Sequence, residues 1–219
     1  MTPTQSRPQA AEPAILFEDT HLIVLSKPAG LLSQGESSGS ENLVDWLRGY
    51  LGRNYVGLVH RLDRNTSGAM VVAKRTKSAE RLTRQLQEGR LKRSYLAWIH
   101  GRLEREARWE HSLFKDEARN LVSVVPAGRK GAKSAILRVR PIRHGTWQGR
   151  VVTLAEFELE TGRSHQIRAQ SAHERHPLVG DRKYGAPADG FPRPALHSHR
   201  IEFEHPMTQE PIRFEAPLP

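Results

Sequence analysis

The stretch Leu58-Val-His-Arg-Leu-Asp-Arg-Asn-Thr-Ser-Gly68, followed by the apolar run Ala69-Met-Val-Val-Ala73, organises the rest of the chain. Apolar residues lead into a polar turn, and a glycine closes the turn before a strand rich in β-branched residues. Asp63 therefore lies on a connection held at both ends by buried structure, where functional carboxylates are often found. Its neighbours Arg61 and Arg64 surround it with positive charge.

The composition indicates a polyanionic partner. In 219 residues, 34 Lys and Arg stand against 24 Asp and Glu, so the formal net charge is +10. A basic chain of this kind most simply binds nucleic acid, although a merely solubilising charge has the same balance. The absence of cysteine excludes disulfides, iron–sulfur clusters and thiolate zinc sites. No apolar run reaches membrane-spanning length, so a soluble, cytoplasmic protein is expected.

The pattern of short apolar runs predicts one domain after a short tail. Residues 1–14 are rich in Pro, Gln, Ala and Thr without the apolar core of a signal peptide, which predicts a disordered tail. Residues 15–219 show no repeat and no linker, and are expected to form a single domain. The strand-like runs predict an extended, largely antiparallel sheet rather than βαβ repeats. These runs are 15–19, 21–25, 93–100, 109–114, 121–125, 134–139, 151–159, 196–203 and 211–214.

Two helices are predicted on either side of the central stretch. Ser40 and Glu41 indicate the start of the first, and an apolar stripe carries it to Gly52. The second covers residues 76–88, and residues 74–93 carry eight Lys and Arg against two Glu. Such a run is usually a solvated helix face, but directly after the Asp63 loop it fits a phosphate track equally well. The candidate phosphate ligands are Lys77, Arg81 and Arg84.

A second dense motif is Thr161-Gly-Arg-Ser-His-Gln-Ile-Arg168. Its glycine makes a turn, and Ser164 is expected to cap a helix that carries His165 and Arg168. These two side chains are three residues apart and therefore share one helix face.

Taken alone, an aspartate like Asp63 is most often a turn former. The run His60-Arg-Leu-Asp63 with Thr66-Ser-Gly68 is longer and more specific, and it resembles the catalytic loop of the RluA-type pseudouridine synthases. The resemblance continues in other segments and covers nearly everything after the tail. These segments are Glu18-Asp19, 26–30, 160–168, 176–181 and His205-Pro206. The departures from the family pattern are Gln170, Glu174-Arg175 and an expected lack of an N-terminal S4-type RNA-binding domain.

The resemblance implies the α+β pseudouridine synthase fold, a long mixed, largely antiparallel bent sheet flanked by helices and loops, with a central RNA-binding cleft. It makes Asp63 the catalytic aspartate, Tyr95 the tyrosine packed against the target base, and Arg168 the basic partner of the aspartate. Arg61 would contact RNA near the flipped nucleotide. The other expected substrate-binding residues are His60, Arg64, Thr66, Arg163, His165, Lys77, Arg81 and Arg84. The expected partner is ribosomal or transfer RNA, bound by a monomer without metal or organic cofactor.

Making pseudouridine from uridine requires breaking N1–C1′, rotating the uracil and joining C5 to C1′ with loss of the C5 proton. The Asp63 carboxylate can attack the sugar or the base, or abstract a sugar proton, and each route needs it ionised. A neighbouring guanidinium favours the ionised form, which is the expected role of Arg168. Tyr95 offers a stacking plane and a hydroxyl that can help remove the C5 proton.

Three alternatives belong to other classes. A metallohydrolase is conceivable because the chain has 11 histidines, but no H-E-x-x-H spacing is present. A serine hydrolase lacks its Gly-x-Ser-x-Gly signature. The serious alternative is a non-catalytic RNA-binding or ribosome-assembly module that retains the synthase fold. Release of tritium from uridine labelled at C5 distinguishes it from an enzyme.

Overall fold

The computed structural model describes residues 12–35 and 40–219. Residues 1–11 of the expected tail lie outside the described residues, and Ala14 already pairs with Ser26 in the first strand. The helices are α1 (Leu43–Leu51), α2 (Thr76–Gln87) and α3 (Gln166–His173). The strands are β1 (Ala14–Glu18), β2 (Leu22–Lys27), β3 (Gly57–Leu58), β4 (Ser67–Ala73), β5 (Lys92–His100), β6 (Ala107–Asp116), β7 (Leu121–Val125), β8 (Lys133–Trp147), β9 (Arg150–Leu159), β10 (Leu196–Glu204) and β11 (Pro211–Glu215).

These strands form one mixed sheet in the order β1-β2-β4-β10-β5-β9-β8-β6-β7, with β3 added to β4 and β11 to β10. The β4–β10 pair is parallel, and the other described pairs are antiparallel. The predicted mixed, largely antiparallel sheet of the α+β class is therefore confirmed. Among the described residues, no helix is both long and apolar enough to cross a membrane.

Strand β4 is the centre of the core, and all seven of its residues are buried. Its side chains alternate between two core clusters, which lie on opposite faces of the strand. Met70 and Val72 belong to one cluster, and Ala69, Val71 and Ala73 to the other. The loop that carries Asp63 leads directly into this strand and is thus fixed to the most buried part of the sheet.

Gly68 permits the parallel pairing of β4 with β10. Its φ is +115°, and a Cβ at this position would lie 2.1 Å from the carbonyl oxygen of Ser198. Only glycine tolerates both the backbone conformation and so close an approach. The glycine that the sequence marks as a turn residue therefore also joins two strands.

Helix α1 begins two residues later than predicted. Asn42, rather than Ser40, is the N-cap, and its side-chain oxygen accepts a hydrogen bond from the backbone N–H of Asp45 at 3.1 Å. The helix starts here because Leu43 is the first residue of its buried stripe. Gly52, with φ of 61°, ends the helix in the left-handed conformation, as predicted.

Strand β8 runs to Trp147, well beyond its predicted end at residue 139. Pro141 lies at a bulge, where the register with β9 shifts before Arg143. A bulge is one of the few strand positions that accept a proline, so the strand continues. The hairpin then closes through Gln148 and Gly149, both with positive φ.

Candidate active site

The Asp63 loop joins β3 to β4 as a tight turn. The backbone N–H of Thr66 donates to the Asp63 carbonyl at 3.0 Å, and Thr66 itself is buried. The Asp63 side chain remains 30% exposed. The turn therefore presents the carboxylate to solvent from a backbone that is held on both sides.

The buried side chain of Lys27 holds this loop in place, a role that the sequence did not predict. Its side chain is fully buried and Nζ donates to the carbonyls of Pro28, Leu31 and Arg64, at 2.9, 2.7 and 3.2 Å. Burial lowers the pKa of Lys27 to about 7, against the opposing effect of Asp63. The segment 26–30 carries part of the family resemblance, but a fully buried lysine is rare enough that the sequence alone did not indicate it.

Arg168 lies beside Asp63, but its shortest contacts are with another carboxylate. Its Nη1 lies 3.5 Å from Asp63 Oδ2. Its Nε and Nη2 instead donate to the two carboxylate oxygens of Asp181, at 2.7 and 2.8 Å. The fork of Arg168 is taken by a second, fully buried carboxylate, and Asp63 keeps the single longer contact. Burial disfavours the charged guanidinium, but Asp181 outweighs it and raises the pKa of Arg168.

The start of α3 also differs from the prediction. Ser164 does not cap the helix; His165 occupies the N-cap position in a left-handed conformation with φ of 49°. The side-chain oxygen of Gln166 instead accepts hydrogen bonds from Arg163 N and Thr161 Oγ1, both at 2.9 Å. A non-glycine residue with positive φ is strained, and such residues concentrate at functional sites.

The strained backbone places the His165 ring between Tyr184 and Asp63. Nδ1 lies 2.8 Å from the Tyr184 hydroxyl, and Nε2 lies 3.7 Å from Asp63 Oδ2. The Tyr184 oxygen also accepts the N–H of Val122 at 3.0 Å. When the Tyr184 hydroxyl donates to Nδ1, the proton of the neutral ring lies on Nε2 and faces Asp63, which can only accept. Burial lowers the pKa of His165 despite the opposing effect of Asp63. Tyr184 is a second residue that the sequence reasoning did not single out.

Tyr95 lies on β5 with only 5% of its surface exposed. Burial raises the pKa of its phenol, while the nearby Arg93 guanidinium acts in the opposite direction. Tyr95, Ala97 and Ile99 share the face predicted for them and join one core cluster.

Asp63, Tyr95 and Arg168 line one cleft of about 1480 Å³. This volume exceeds that of a typical small-ligand pocket and suits part of a polymer. Eight of the twelve residues predicted from the sequence line it: His60, Arg61, Asp63, Arg64, Tyr95, Arg163, His165 and Arg168. Its lining is rich in arginine, so its charge complements an anionic chain.

The three basic residues of α2 lie elsewhere. Lys77 and Arg84 are exposed, and Arg81 is half-buried, donating to the carbonyl oxygen of Pro206 at 2.5 Å. Residues of α2 that do line the cleft are Leu86 and Gln87, at its C-terminal end. The proposed phosphate track on α2 therefore stays a prediction about a surface outside the cleft.

His60 is buried in the wall of the cleft. Burial lowers its pKa to about 3, and Arg93 acts in the same direction, so the imidazole is neutral. Its Nε2 accepts the backbone N–H of Val71 at 3.2 Å. This contact ties the Asp63 loop to β4.

One group of side chains could in principle hold a metal ion. His111, His173 and Glu174 bring their ligand atoms within 4.8 Å of one another. The amide nitrogen of Gln170 lies 2.9 Å from His111 Nδ1 and donates to it, which leaves the proton on Nε2. That proton is donated to Glu174 at 3.0 Å. The group is thus satisfied as a hydrogen-bonded pair, and none of its three residues lines the cleft.

Several known proteins are similar to this chain. The sequence model of a family described as RNA pseudouridylate synthase matches residues 21–173. A Bacillus subtilis (strain 168) protein named uncharacterized RNA pseudouridine synthase YhcT is 35% identical, over 97% of this chain and 70% of its own length. Ribosomal large subunit pseudouridine synthase D of Xanthomonas campestris pv. campestris is 36% identical, over 100% of this chain and 70% of its own.

A solved structure shares the fold. The structure of human RNA pseudouridylate synthase domain containing 1 superimposes with a TM-score of 0.79 at 23% sequence identity, covering 97% of this chain and 86% of its own.

Proposed function

Because this chain belongs to the RNA pseudouridylate synthase family, we propose that it converts uridine to pseudouridine in ribosomal RNA, with Asp63 as the catalytic carboxylate. The family acts on RNA, and an isomerase activity follows from the membership. The choice of ribosomal RNA rests on relatives named as ribosomal large subunit pseudouridine synthases. Transfer RNA is the other candidate substrate.

The observation that carries the proposal is the placement of the Asp63 carboxylate. It is 30% exposed at the cleft, with the Arg168 guanidinium 3.5 Å away and Tyr95 in the same wall. In the reaction the N1–C1′ bond breaks, C5 bonds to C1′, and the C5 proton is lost while N1 gains one. An ionised carboxylate can begin this exchange at the sugar or the base, and the Tyr95 hydroxyl can help to carry the C5 proton.

The arginines of the cleft give the RNA its binding site in this proposal. Arg61, Arg64 and Arg163 are exposed in the lining, and none of them pairs with a carboxylate among the described ion pairs. Phosphate contacts of this kind offset the few kcal/mol needed to unstack the target base. Thr66 has a buried side chain, so in this proposal it stabilises the turn rather than binding RNA. Lys77, Arg81 and Arg84 would bind RNA outside the cleft.

The remaining expectations follow from the same proposal. Residues from 15 onward would form one catalytic domain that works as a monomer, since all the proposed catalytic residues come from one chain. A ribosomal RNA substrate would place the protein in the cytoplasm. The proposed chemistry uses no metal or organic cofactor.

The test is release of tritium from RNA labelled at uracil C5. We expect wild-type protein to release tritium from a ribosomal or transfer RNA transcript, and Asp63→Ala to release none. RNA affinity of the variant should change less than about tenfold, or 1.4 kcal/mol. Asp116→Ala, at an aspartate outside the cleft lining, serves as the matched control.

Two outcomes would contradict the proposal. Clear turnover by Asp63→Ala would remove Asp63 from the catalytic role. RNA binding by the wild type without any release of tritium would favour the non-catalytic RNA-binding module. Pseudouridine mapping of ribosomal and transfer RNA, with and without the protein, decides between the two substrates.

A further inference from the structure

Arg93 is a buried cation without an ionic partner. It lies on β5 two residues before Tyr95, so both side chains leave the same face of the strand. Only 9% of its surface is exposed, and its Nε makes no hydrogen bond among the described residues. None of the ion pairs of the described chain includes it.

The carboxylates around Arg93 are already committed to other arginines. Glu160 pairs with Arg108 and Arg138 at 3.1 and 3.3 Å. Glu158 pairs with Arg200 at 3.8 Å. A buried charge without a counterion is strongly unfavourable, so an unpaired guanidinium at this depth indicates that an anion arrives from outside the chain.

The neutral neighbours of Arg93 do not supply that anion. Burial raises the pKa of the Tyr95 phenol above its ordinary value, so it carries no negative charge near neutral pH. His60 is a neutral imidazole, because burial and Arg93 together lower its pKa to about 3. Arg93 hydrogen-bonds to the Tyr95 hydroxyl, but no carboxylate pairs with it among the described residues.

The guanidinium is placed where an external anion can reach it. Arg93 lines the central cleft and also a second groove, formed with Lys92, Ser94 and Arg138 among others, so it lies where the two meet. Its two terminal nitrogens face Gly162, an exposed cleft residue, since a Cβ built there would lie 3.1 Å from each of them. Because residue 162 is a glycine, no side chain stands between the fork of the guanidinium and this part of the cleft.

We propose that Arg93, whose terminal nitrogens face the bare backbone of Gly162, forms an anion site that binds a backbone phosphate of the RNA next to the target nucleotide. A planar guanidinium offers two parallel N–H groups that match two phosphate oxygens. An RNA strand with a phosphate at this point would run past Tyr95 toward the second groove, and this groove would give the strand a path out of the cleft. The proposal rests on the proposed function, because it takes RNA as the ligand.

The test is ethylation interference, which neutralises single phosphates at random. The probe is an end-labelled large-subunit ribosomal RNA transcript treated with ethylnitrosourea, with bound and free fractions separated and cleaved. With wild-type protein we expect one of the interfering phosphates to lie directly beside the modified uridine. With Arg93→Gln this one signal should disappear, affinity should fall about 10- to 100-fold, and the slope of log K against log salt should shrink by about 0.7–0.9.

Two further variants separate the site from general effects. Arg105→Gln removes an exposed arginine that lines neither the cleft nor the second groove, and should keep the wild-type interference pattern. Gly162→Ala adds a Cβ in a backbone conformation that alanine adopts without strain, and should weaken the same phosphate signal by displacing the guanidinium. Because residue 162 is exposed, this variant gives a result even where Arg93→Gln fails to fold.

An interference pattern that is identical for wild type, Arg93→Gln and Gly162→Ala would overturn the proposal. So would an Arg93→Gln variant that loses turnover but keeps affinity and salt slope, since Arg93 would then act on Tyr95 rather than on RNA. Interference is read from binding and not from turnover. Failure of the proposed function would appear as wild-type protein that binds RNA and releases no tritium, which is a different result.

Discussion

The Arg168–Asp181 pair is predicted to hold the Arg168 guanidinium in place beside Asp63, and Asp181→Asn tests this directly. The two side chains are 10% and 1% exposed and share two charged hydrogen bonds. Removing one partner of a buried ion pair costs about 3–5 kcal/mol of unfolding free energy, since the other charge stays buried. The amide oxygen of asparagine can still accept one of the two bonds, so the expected loss is near the lower end, about 3 kcal/mol.

The assay is a double-mutant cycle of urea unfolding, followed by the fluorescence of the four tryptophans. Arg168→Met should also cost about 3–5 kcal/mol, because Asp181 then loses its cation. The double variant has no buried charge at this point. Its loss should therefore be smaller than the sum of the two single losses by about 2–4 kcal/mol. A thermal midpoint lower by roughly 6–12 °C is expected for Asp181→Asn.

The same variant tests the link to catalysis. At a temperature where Asp181→Asn is folded, we expect single-turnover tritium release to slow by about 100-fold, the usual effect of displacing a catalytic group by about 1 Å. Single losses that add to within about 0.5 kcal/mol would refute the buried pair. A folded Asp181→Asn protein with the wild-type rate would refute the need for a fixed Arg168.

Three other predictions concern groups around this centre. Between pH 7 and 10, the unfolding free energy of the wild type should rise relative to that of Lys27→Met by about 1.4 kcal/mol per pH unit. Burial lowers the pKa of Lys27 to about 7, so the folded state loses its buried charge over this range while the unfolded lysine stays protonated. A difference that does not change with pH would contradict this. Tyr184→Phe removes the hydroxyl that lies against His165 Nδ1, and should lower kcat up to about tenfold with KM unchanged. An unchanged kcat would show that the Tyr184 hydroxyl does not set the tautomer of the His165 ring. Lys77→Gln should reduce the slope of log K against log salt by about 0.7–0.9 if α2 binds phosphates, whereas an unchanged slope would make α2 an ordinary solvated face.

The elements around the site were predictable where one periodicity dominated. Strand β4 contains a continuous apolar run, and β5 alternates well enough to indicate a strand, so their existence followed from pattern alone. The loop between β3 and β4 followed from its polar residues and closing glycine. Helix α2 was predicted to within a residue, because its apolar stripe is regular.

What the sequence could not show was which partner each charged side chain would choose. Asp181 follows Arg168 by 13 residues, across the end of α3 and a turn, and no spacing rule links such positions. The left-handed His165 was missed for a related reason, since Ser164 is the better cap by preference but the Gln166 side chain already closes the turn. Tertiary contacts decided both cases.

Arg168 makes short hydrogen bonds to Asp181 and only a longer contact to Asp63, and this difference suits the proposed reaction. An oxygen that accepts a short charged hydrogen bond has its lone pair engaged, as both oxygens of Asp181 do. Asp63 has only longer contacts, at 3.5 Å to Arg168 and 3.7 Å to His165, and 30% of its side chain is exposed. Its oxygens thus remain able to approach a sugar or a base while a positive charge stays close. A guanidinium that must stay still while its neighbour reacts needs an anchor that cannot react, and the buried Asp181 meets that need.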